Sequence, residues 1–327
     1  MPKFTLLETR AYYDALFHAV KDAQRSINIT SYDLIYDHKT KTLLDAIIAA
    51  ARKGITVTIS ADTMSFNEVR KKALGPISLN HPSGEALRDY KEKLERAGGR
   101  VEWLSNTKVL NPYKQRNHEK WSVIDDHCFT FGGVNMYDAG FANNDYMLHT
   151  KNAKLADFLR GEHYKIITNA AEYRGAHHII DDESECYIDS AETYSSVIYK
   201  KACTLARQAE SAVYVSQYYP TGKLGILLKR ISTQYYINRP ENMRGLAKLM
   251  LLFDRWRCHI KNSYQKDRYL HAKFILFTMK DGSKVALTGS HNFSYAGVRY
   301  GTIEIDMQTS NLHTIRQLES FVEKIAS

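Results

Sequence analysis

One pattern of hydrophobic periodicity runs through the first half of the chain and then runs again through the second. Residues 26–33 (SINITSYD) alternate and are β-branched, which predicts a strand; residues 39–53 are apolar at helical spacing and stop at Gly54. Strand 55–60, helix 85–97 and strand 100–104 follow. The helix carries Ala86, Leu87, Tyr90 and Leu94 on one face and ends at Gly98-Gly99. The second half predicts helix 191–208, strand 211–218, helix 223–230, strand 233–238, helix 241–256 and strand 258–262. Strands alternating with helices predict an α/β fold with helices packed on sheet faces. The expected units are residues 1–165 and 166–327, joined near 160–190, where His177-His178 and the acidic run Asp181-Asp182-Glu183 interrupt the pattern. His177-His178 have no further ligand at helical or hairpin spacing, so they are expected in a loop and not at a metal. At 327 residues, either unit is large enough to bury a core without a staple.

At the same place in each half comes a hairpin opened by His-x-Lys. The first contains His118, Lys120 and Asp125, then Gly132, Gly133 and Asn135. The second contains His271 and Lys273, then Gly289, Ser290 and Asn292, with Asp281-Gly282 as its turn. One chance match to His-x-Lys followed by Asp has a probability of roughly 0.05 in a chain with this many histidines, and the bland reading is two surface histidines at strand starts. Two in the same structural slot, each followed by G-[G/S]-x-N, are far rarer by accident. Residues i and i+2 of a strand share a face, so each His projects beside its Lys, and the returning strand brings the Asn alongside. Two such halves face to face offer two imidazoles, two ammonium groups and two carboxamides, a set suited to phosphoryl transfer without a metal. Asp145 follows Asn135 by 10 residues and Glu304 follows Asn292 by 12. A carboxylate on Nδ1–H fixes the imidazole tautomer and leaves Nε2 free to attack. His291, between Ser290 and Asn292, is expected either at substrate or facing outward.

These paired motifs, with the openings SINITSYDLI and AARKGITVTI, resemble the phospholipase D superfamily, the proteins with paired HxKxxxxD motifs. The resemblance covers most of the chain. It implies two α/β/α sandwich halves around one shared site, with no cofactor and no metal. One histidine would form a phosphohistidine; the other would protonate the leaving group and then activate the acceptor. Lys120, Lys273, Asn135, Asn292 and Ser290 match the family's phosphate-binding positions, and Asp145 and Glu304 match the acids that orient the histidines. Two positions depart from the pattern. Gly133 stands where the family has Ser, and Thr278 stands at the second motif aspartate. A residue seven positions along a strand from the histidine is about 20 Å away. Asp125 and Thr278, like Gly132, Gly133 and Gly289, are therefore expected to serve structure and not chemistry. The hairpin from His118 to Asn135 spans 17 residues, against 21 from His271 to Asn292. The tighter one should hold its imidazole more rigidly, which favours His118 as nucleophile and His271 as general acid.

Charge narrows the partner. The chain carries +9, and residues 222–273 alone hold twelve Lys/Arg against Glu241, Asp254 and Asp267. Such a field concentrates an anionic partner. The leading reading is phosphatidyl transfer or phospholipid hydrolysis, with Tyr235, Tyr236, Trp256 and Tyr264 of the basic segment meeting an anionic membrane surface. The alternative is a metal-independent nuclease using the same aromatics to stack bases; a third is a binding protein with a degenerate second motif. Met243, Leu246, Met250 and Phe253 form a stripe on the predicted helix 241–256. This helix fills the slot that 85–97 fills in the first half, so core packing is expected in preference to membrane contact. Four isolated cysteines (Cys128, Cys186, Cys203, Cys258) argue against a zinc ribbon or a disulfide framework. Neither a signal peptide nor a membrane span is read. The expected setting is cytoplasmic or peripheral to a membrane.

Overall fold

The computed structural model describes residues 3–67, 82–105, 114–169, 172–243 and 245–327. The first sheet is built from β1 (Thr5–Glu8), β2 (Ser26–Ser31), β3 (Thr56–Asp62), β4 (Arg100–Leu104), β5 (Trp121–Ile124), β6 (His127–Thr130) and β7 (Tyr146–Lys151). Interleaved with these strands are α1 (Thr9–Asp22), α2 (His38–Arg52) and α3 (Pro82–Arg96), and α4 (Ala153–Asn169) follows them. The second sheet uses β8 (Ala176–Asp181), β9 (Ser184–Ile188), β10 (Ala209–Ser216), β11 (Ser232–Ile237), β12 (Phe274–Met279), β13 (Lys284–Gly289) and β14 (Ile305–Thr309). Its helices are α5 (Val197–Gln208), α6 (Gly222–Leu228), α7 (Gly245–Cys258), α8 (Tyr295–Tyr300) and α9 (Leu312–Ala326). The fold is mixed α/β, as the alternating periods require.

The strand orders are β1-β7-β6-β5-β2-β3-β4 and β11-β10-β12-β13-β14-β9-β8. Each sheet holds a parallel pair, β2 with β3 and β10 with β11, next to an antiparallel hairpin, β5-β6 or β12-β13. Strand alternation divides the apolar residues between two faces. Val123 and Leu148 point inward, to a core shared with Phe274, Ile305, α4 and α9; Ile124 and Met147 point outward, to α1, α2 and α3. A third cluster covers the outer face of the second sheet with α5, α6 and residues of α7. The expected division at 165/166 falls inside α4, whose Leu155, Leu159 and Ile166 belong to the shared core.

Several expectations are corrected. The helix predicted over 191–208 starts only at Val197. Ser196 accepts a hydrogen bond from Tyr199 N–H at 2.9 Å, and the Asp189 carboxylate accepts from Val197 and Ile198 N–H, so the chain before them turns. The helix predicted over 241–256 is a single 3-10 turn (Pro240–Asn242) followed by α7. No strand spans 258–262; Asn262 makes an isolated parallel bridge to Tyr235. His177 and His178 lie on β8 and not in a loop: His177 Nε2 is 2.8 Å from the Glu185 carboxylate, and His178 stacks on Phe158. Met243 is buried before α7 begins, whereas Met250 and Phe253 are 46% and 57% exposed, against the core packing expected of them. The Leu246 side chain lies outside the described residues. Tyr235, Tyr236 and Tyr264 are buried, and only Trp256 of that aromatic set is exposed.

The two hairpins end differently. Asp125 sits in the tight turn between β5 and β6 with φ +51°, and its carboxylate accepts the backbone N–H groups of Gln24, Arg25 and Ser26 at 2.8–2.9 Å. These three bonds hold its pKa below the usual carboxylate range against the opposing effect of burial. In the second half, residues 209–211 replace 24–26 and are already part of β10, with Ser211 paired to Thr278. The longer hairpin thus supplies from its own ladder what the first half takes from a side chain. Asp125→Ala should lower unfolding free energy by about 2 kcal/mol in denaturant titration, since charge-assisted bonds to otherwise exposed N–H groups are lost. Thr278→Asp should shift the melting temperature more than any rate measured at the site.

Candidate active site

Both histidines are placed by the opposite half of the molecule. The residue before each is held by an acceptor at the end of the second strand of the parallel pair in its own half. Asn117 N–H donates to Asp62 Oδ2 at 2.9 Å, and Leu270 N–H donates to Asn238 Oδ1 at 3.2 Å. The histidine backbones then bridge across the halves. His118 N–H donates to Ile303 O at 2.8 Å, and His271 N–H donates to Asn144 O at 3.0 Å. The next residues along are Glu304 and Asp145. His118 Nδ1 accordingly lies 2.8 Å from Glu304 Oε2, and His271 Nδ1 lies 2.7 Å from Asp145 Oδ2. Each imidazole from one half is oriented by a carboxylate from the other. A carboxylate at Nδ1 holds the proton there and turns Nε2 toward the site. Neither Nε2 has a hydrogen-bond partner among the described residues.

The glycines explain how strands come this close. A Cβ at Gly132 would lie 1.9 Å from Tyr146 O, and one at Gly289 would lie 2.2 Å from Ile305 O. The same approach of backbone to backbone is thus built in both halves, one residue past Asp145 and one past Glu304. Gly133 serves the acid directly, because a Cβ there would meet Asp145 Oδ2 at 2.7 Å and His271 O at 2.8 Å. Its counterpart Ser290 instead donates to Glu304 Oε2 at 2.5 Å and accepts Ile305 N–H at 2.9 Å.

Lys120 and Lys273 are 1% and 0% exposed. Lys120 Nζ donates to His118 O at 2.6 Å and lies 5.2 Å from the centre of the Tyr32 ring; Lys273 Nζ donates to His271 O and lies 3.0 Å from His271 Nδ1. Asn135 is buried, with Oδ1 3.4 Å from Asp33 N–H. The Asn292 backbone carbonyl accepts from Ser216 Oγ at 3.0 Å, while its own Oδ1 is buried without a partner among the described residues. His291 neither faces outward nor points to an open site. It is 2% exposed, and its Nδ1 accepts Phe293 N–H at 2.8 Å, so its ring is a neutral structural acceptor.

Burial governs the electrostatics. It lowers His118 well below the usual imidazole value, aided by the charges of Lys120 and Lys273, and it lowers His271 to about 4. Both rings are neutral at pH 7, the form able to attack. Burial also lowers Lys120 to about 7 and Lys273 to about 8. It pushes the Glu304 carboxyl up, which the Lys120 ammonium and the Ser290 hydroxyl oppose. Both lysines lie below their ordinary value, and an incoming anion would favour their ammonium forms.

Two contributors lay outside the sequence reading. Tyr32 sets its ring edge-on to His118 at 4.7 Å between centroids. Arg116 forms a buried ion pair with Asp62 at 3.1 Å and also donates to Thr63 Oγ1, fixing the segment that delivers His118. Asp62 ends β3 at the same sheet edge as the motif, the one signal by which it could have been found. Among the described residues, no group of three or more His, Cys, Asp or Glu is arranged to hold a metal ion.

Known proteins resemble this chain in sequence over its first half and in fold over nearly its whole length. Residues 16–162 match the family model described as "Cardiolipin synthase, PLD-like domain". Cardiolipin synthase B of Salmonella typhimurium is 27% identical over 157 residues, 46% of this chain and 35% of that protein. A cardiolipin synthase of Staphylococcus aureus is 27% identical over 177 residues, 54% of this chain and 31% of that protein. The match thus spans about a third of the length of these curated relatives. Among solved structures, phosphatidylserine synthase of Haemophilus influenzae superposes with a TM-score of 0.74 over 99% of this chain and 86% of its own, at 12% identity. Polyphosphate kinase of Porphyromonas gingivalis does so with a TM-score of 0.61 over 98% and 46%, also at 12% identity. These two likenesses establish the fold.

The lysines give a test that needs no substrate. Sulfate stays dianionic across the range, so its affinity follows the protein's charge alone. Each ammonium is present below its pKa and lost above it. Sulfate binding measured by calorimetry should therefore be strongest below pH 7 and weaken above pH 8 by about tenfold per pH unit for each lysine that must take up a proton. Lys120→Arg, which stays charged, should flatten the first part of that decline.

Proposed function

We propose that this chain, whose residues 16–162 match the phospholipase D-like family model, is a phosphodiester transferase or hydrolase acting on phospholipids without a metal. The observation that carries the reading is the pair of crossed imidazole–carboxylate contacts, His118 with Glu304 and His271 with Asp145. Two oriented imidazoles at one site suit a double displacement in which His118 attacks as the neutral ring and His271 takes up a proton as the anionic substrate binds. His118 Nε2 attacks phosphorus, and the P–O bond to the leaving alcohol breaks. The leaving oxygen takes a proton from His271, whose low pKa rises once the phosphate anion sits beside it. Water or a second alcohol then loses its proton to His271 and attacks the phosphohistidine, which releases His118. Lys120, Lys273, Asn135 and Asn292 hold the nonbridging oxygens, and Ser290 acts through Glu304. Cardiolipin synthases among the relatives favour a lipid substrate. The burial of Tyr235, Tyr236 and Tyr264 removes most of the aromatic platform that the nuclease reading needed.

The decisive experiment incubates the protein in EDTA with labelled phosphatidylglycerol and, separately, with labelled DNA or RNA. Conversion of the lipid alone is expected; consumption of nucleic acid alone would select the nuclease, and loss of lipid turnover restored by a divalent ion would overturn the metal-free mechanism. His118→Ala and His271→Asn should each lower turnover by at least about a thousandfold, since the two act as a unit. They should differ in what accumulates. His271→Asn should trap a phosphohistidine on His118 with a leaving group that needs no proton. His118→Ala should give no adduct, as read by mass spectrometry after alkaline digestion. An adduct on His271 in His118→Ala would exchange the two roles.

A further inference from the structure

Helix α7 and helix α3 occupy the same slot in the two halves, each following the second strand of a parallel pair. Their outward faces differ. On α3 the exposed residues from position 85 onward are Glu85, Asp89, Glu92, Lys93, Glu95 and Arg96, all charged. On α7, Leu249, Leu252, Phe253 and Trp256 are 63%, 41%, 57% and 69% exposed. They stand at i, i+3, i+4 and i+7, which is one continuous stripe of the helix, with exposed Met250 at its edge. Leu251 and Cys258 anchor the opposite face in the core. Exposed Lys248 and Arg255 flank one side of the stripe and Arg257 the other, while the helix's one acid, Asp254, is turned inward against Arg257 at 3.4 Å.

We propose that α7 is a membrane-docking helix whose apolar stripe enters the headgroup region of an anionic bilayer, bringing the site to its lipid. An apolar stripe between basic flanks is the arrangement that an anionic lipid surface complements on both counts. A second copy meeting the same face would set Lys248, Arg255 and Arg257 against their own kind, within a segment (222–273) that already carries twelve cations and three acids. A nucleic acid would meet the cations but leave Leu249 and Leu252 in water. The helix is also tied to the chemistry. Asn242, in the turn that opens it, donates to Asn238 Oδ1 at 3.2 Å and to Lys266 O at 3.0 Å, and Asn238 Oδ1 in turn receives Leu270 N–H beside His271. The purpose of docking rests on the phospholipid reading above, but the docking itself is measured separately.

The test is flotation with vesicles of phosphatidylglycerol and phosphatidylcholine, against vesicles of phosphatidylcholine alone. The wild-type chain should float with the anionic vesicles, with blue-shifted Trp256 fluorescence that is lost in Trp256→Phe. The triple variant Leu252→Ser/Phe253→Ser/Trp256→Ser, checked for an unchanged melting transition, should bind at least about tenfold more weakly. Arg255→Glu/Arg257→Glu should bind weakly for loss of charge with the stripe intact. The triple variant should still turn over a short-chain, micelle-free phosphatidylglycerol at the wild-type rate. Unchanged vesicle binding in the triple variant would overturn the proposal. So would a wild-type dimer that the triple variant abolishes, or DNA binding that it abolishes without any vesicle binding. Vesicle binding without turnover of either lipid would defeat the phospholipid reading and leave the docking helix standing.

Discussion

Two backbone hydrogen bonds organise this molecule: His118 N–H to Ile303 O and His271 N–H to Asn144 O. Each joins the chain just before a motif strand in one half to the residue just before the orienting acid in the other. With them in place, the imidazole and carboxylate of each pair meet at 2.7–2.8 Å without either half holding a complete pair alone. The site is thus a property of docking. Docking is in turn enforced by the shared core, where Tyr146 packs on Phe274 and Phe321 and its hydroxyl meets Thr288 across the join. The apolar layer supplies the stability, and the two backbone bonds set the registration to which it is held.

That registration has an electrostatic cost. Lys120, Lys273, Asp145, Glu304 and Asp306 are all buried, and isolated charges at such depth would be strongly unfavourable. Close placement of both signs offsets part of the desolvation, and proton uptake or release offsets more. Lys120 falls to about 7 while burial drives Glu304 and Asp306 up. The remaining imbalance is what a phosphodiester anion would relieve, because it restores the ammonium groups without needing water. Such a site would bind an anion more strongly than its exposed area suggests, and the gain would depend on both lysines staying deeply buried.

The sequence made the repeat legible because both of its parts are local. Hydrophobic period marked β2, β3, α2, α3 and β4, and the His-x-Lys hairpins marked the chemistry. What it hid was set by contacts far along the chain. The crossing of Asp145 to His271 and Glu304 to His118 involves separations of 126 and 186 residues, and matched spacing within each half says nothing about it. The late start of α5 depends on Asp189, a side chain outside the helix. His177 and His178 looked like a loop because their strand lies at a sheet edge, where half-exposed polar residues replace apolar alternation. The exposed stripe of α7 was misjudged for a related reason. Its period is helical whether the apolar face turns toward a core or away from one, and only the packed structure shows that Leu251 and Cys258 already fill the inward side.

The near-symmetry breaks at one pair of positions, and the break is compensated within the site. In the second half a serine hydroxyl steadies a glutamate: Ser290 donates to Glu304, and Ile305 N–H donates back to the serine. In the first half the acid is the shorter aspartate, steadied by Tyr146 N–H at 2.8 Å, and the residue in the serine slot is Gly133. A Cβ there would stand 2.7–2.9 Å from both Asp145 carboxylate oxygens, closer than packed atoms tolerate. An aspartate must sit nearer the backbone than a glutamate to reach the same imidazole nitrogen, so the room a serine would take is the room the shorter acid needs. Glycine with aspartate and serine with glutamate are two solutions to one geometric requirement. The departure at Gly133 is therefore matched to Asp145 and leaves the His271 imidazole as firmly oriented as its partner.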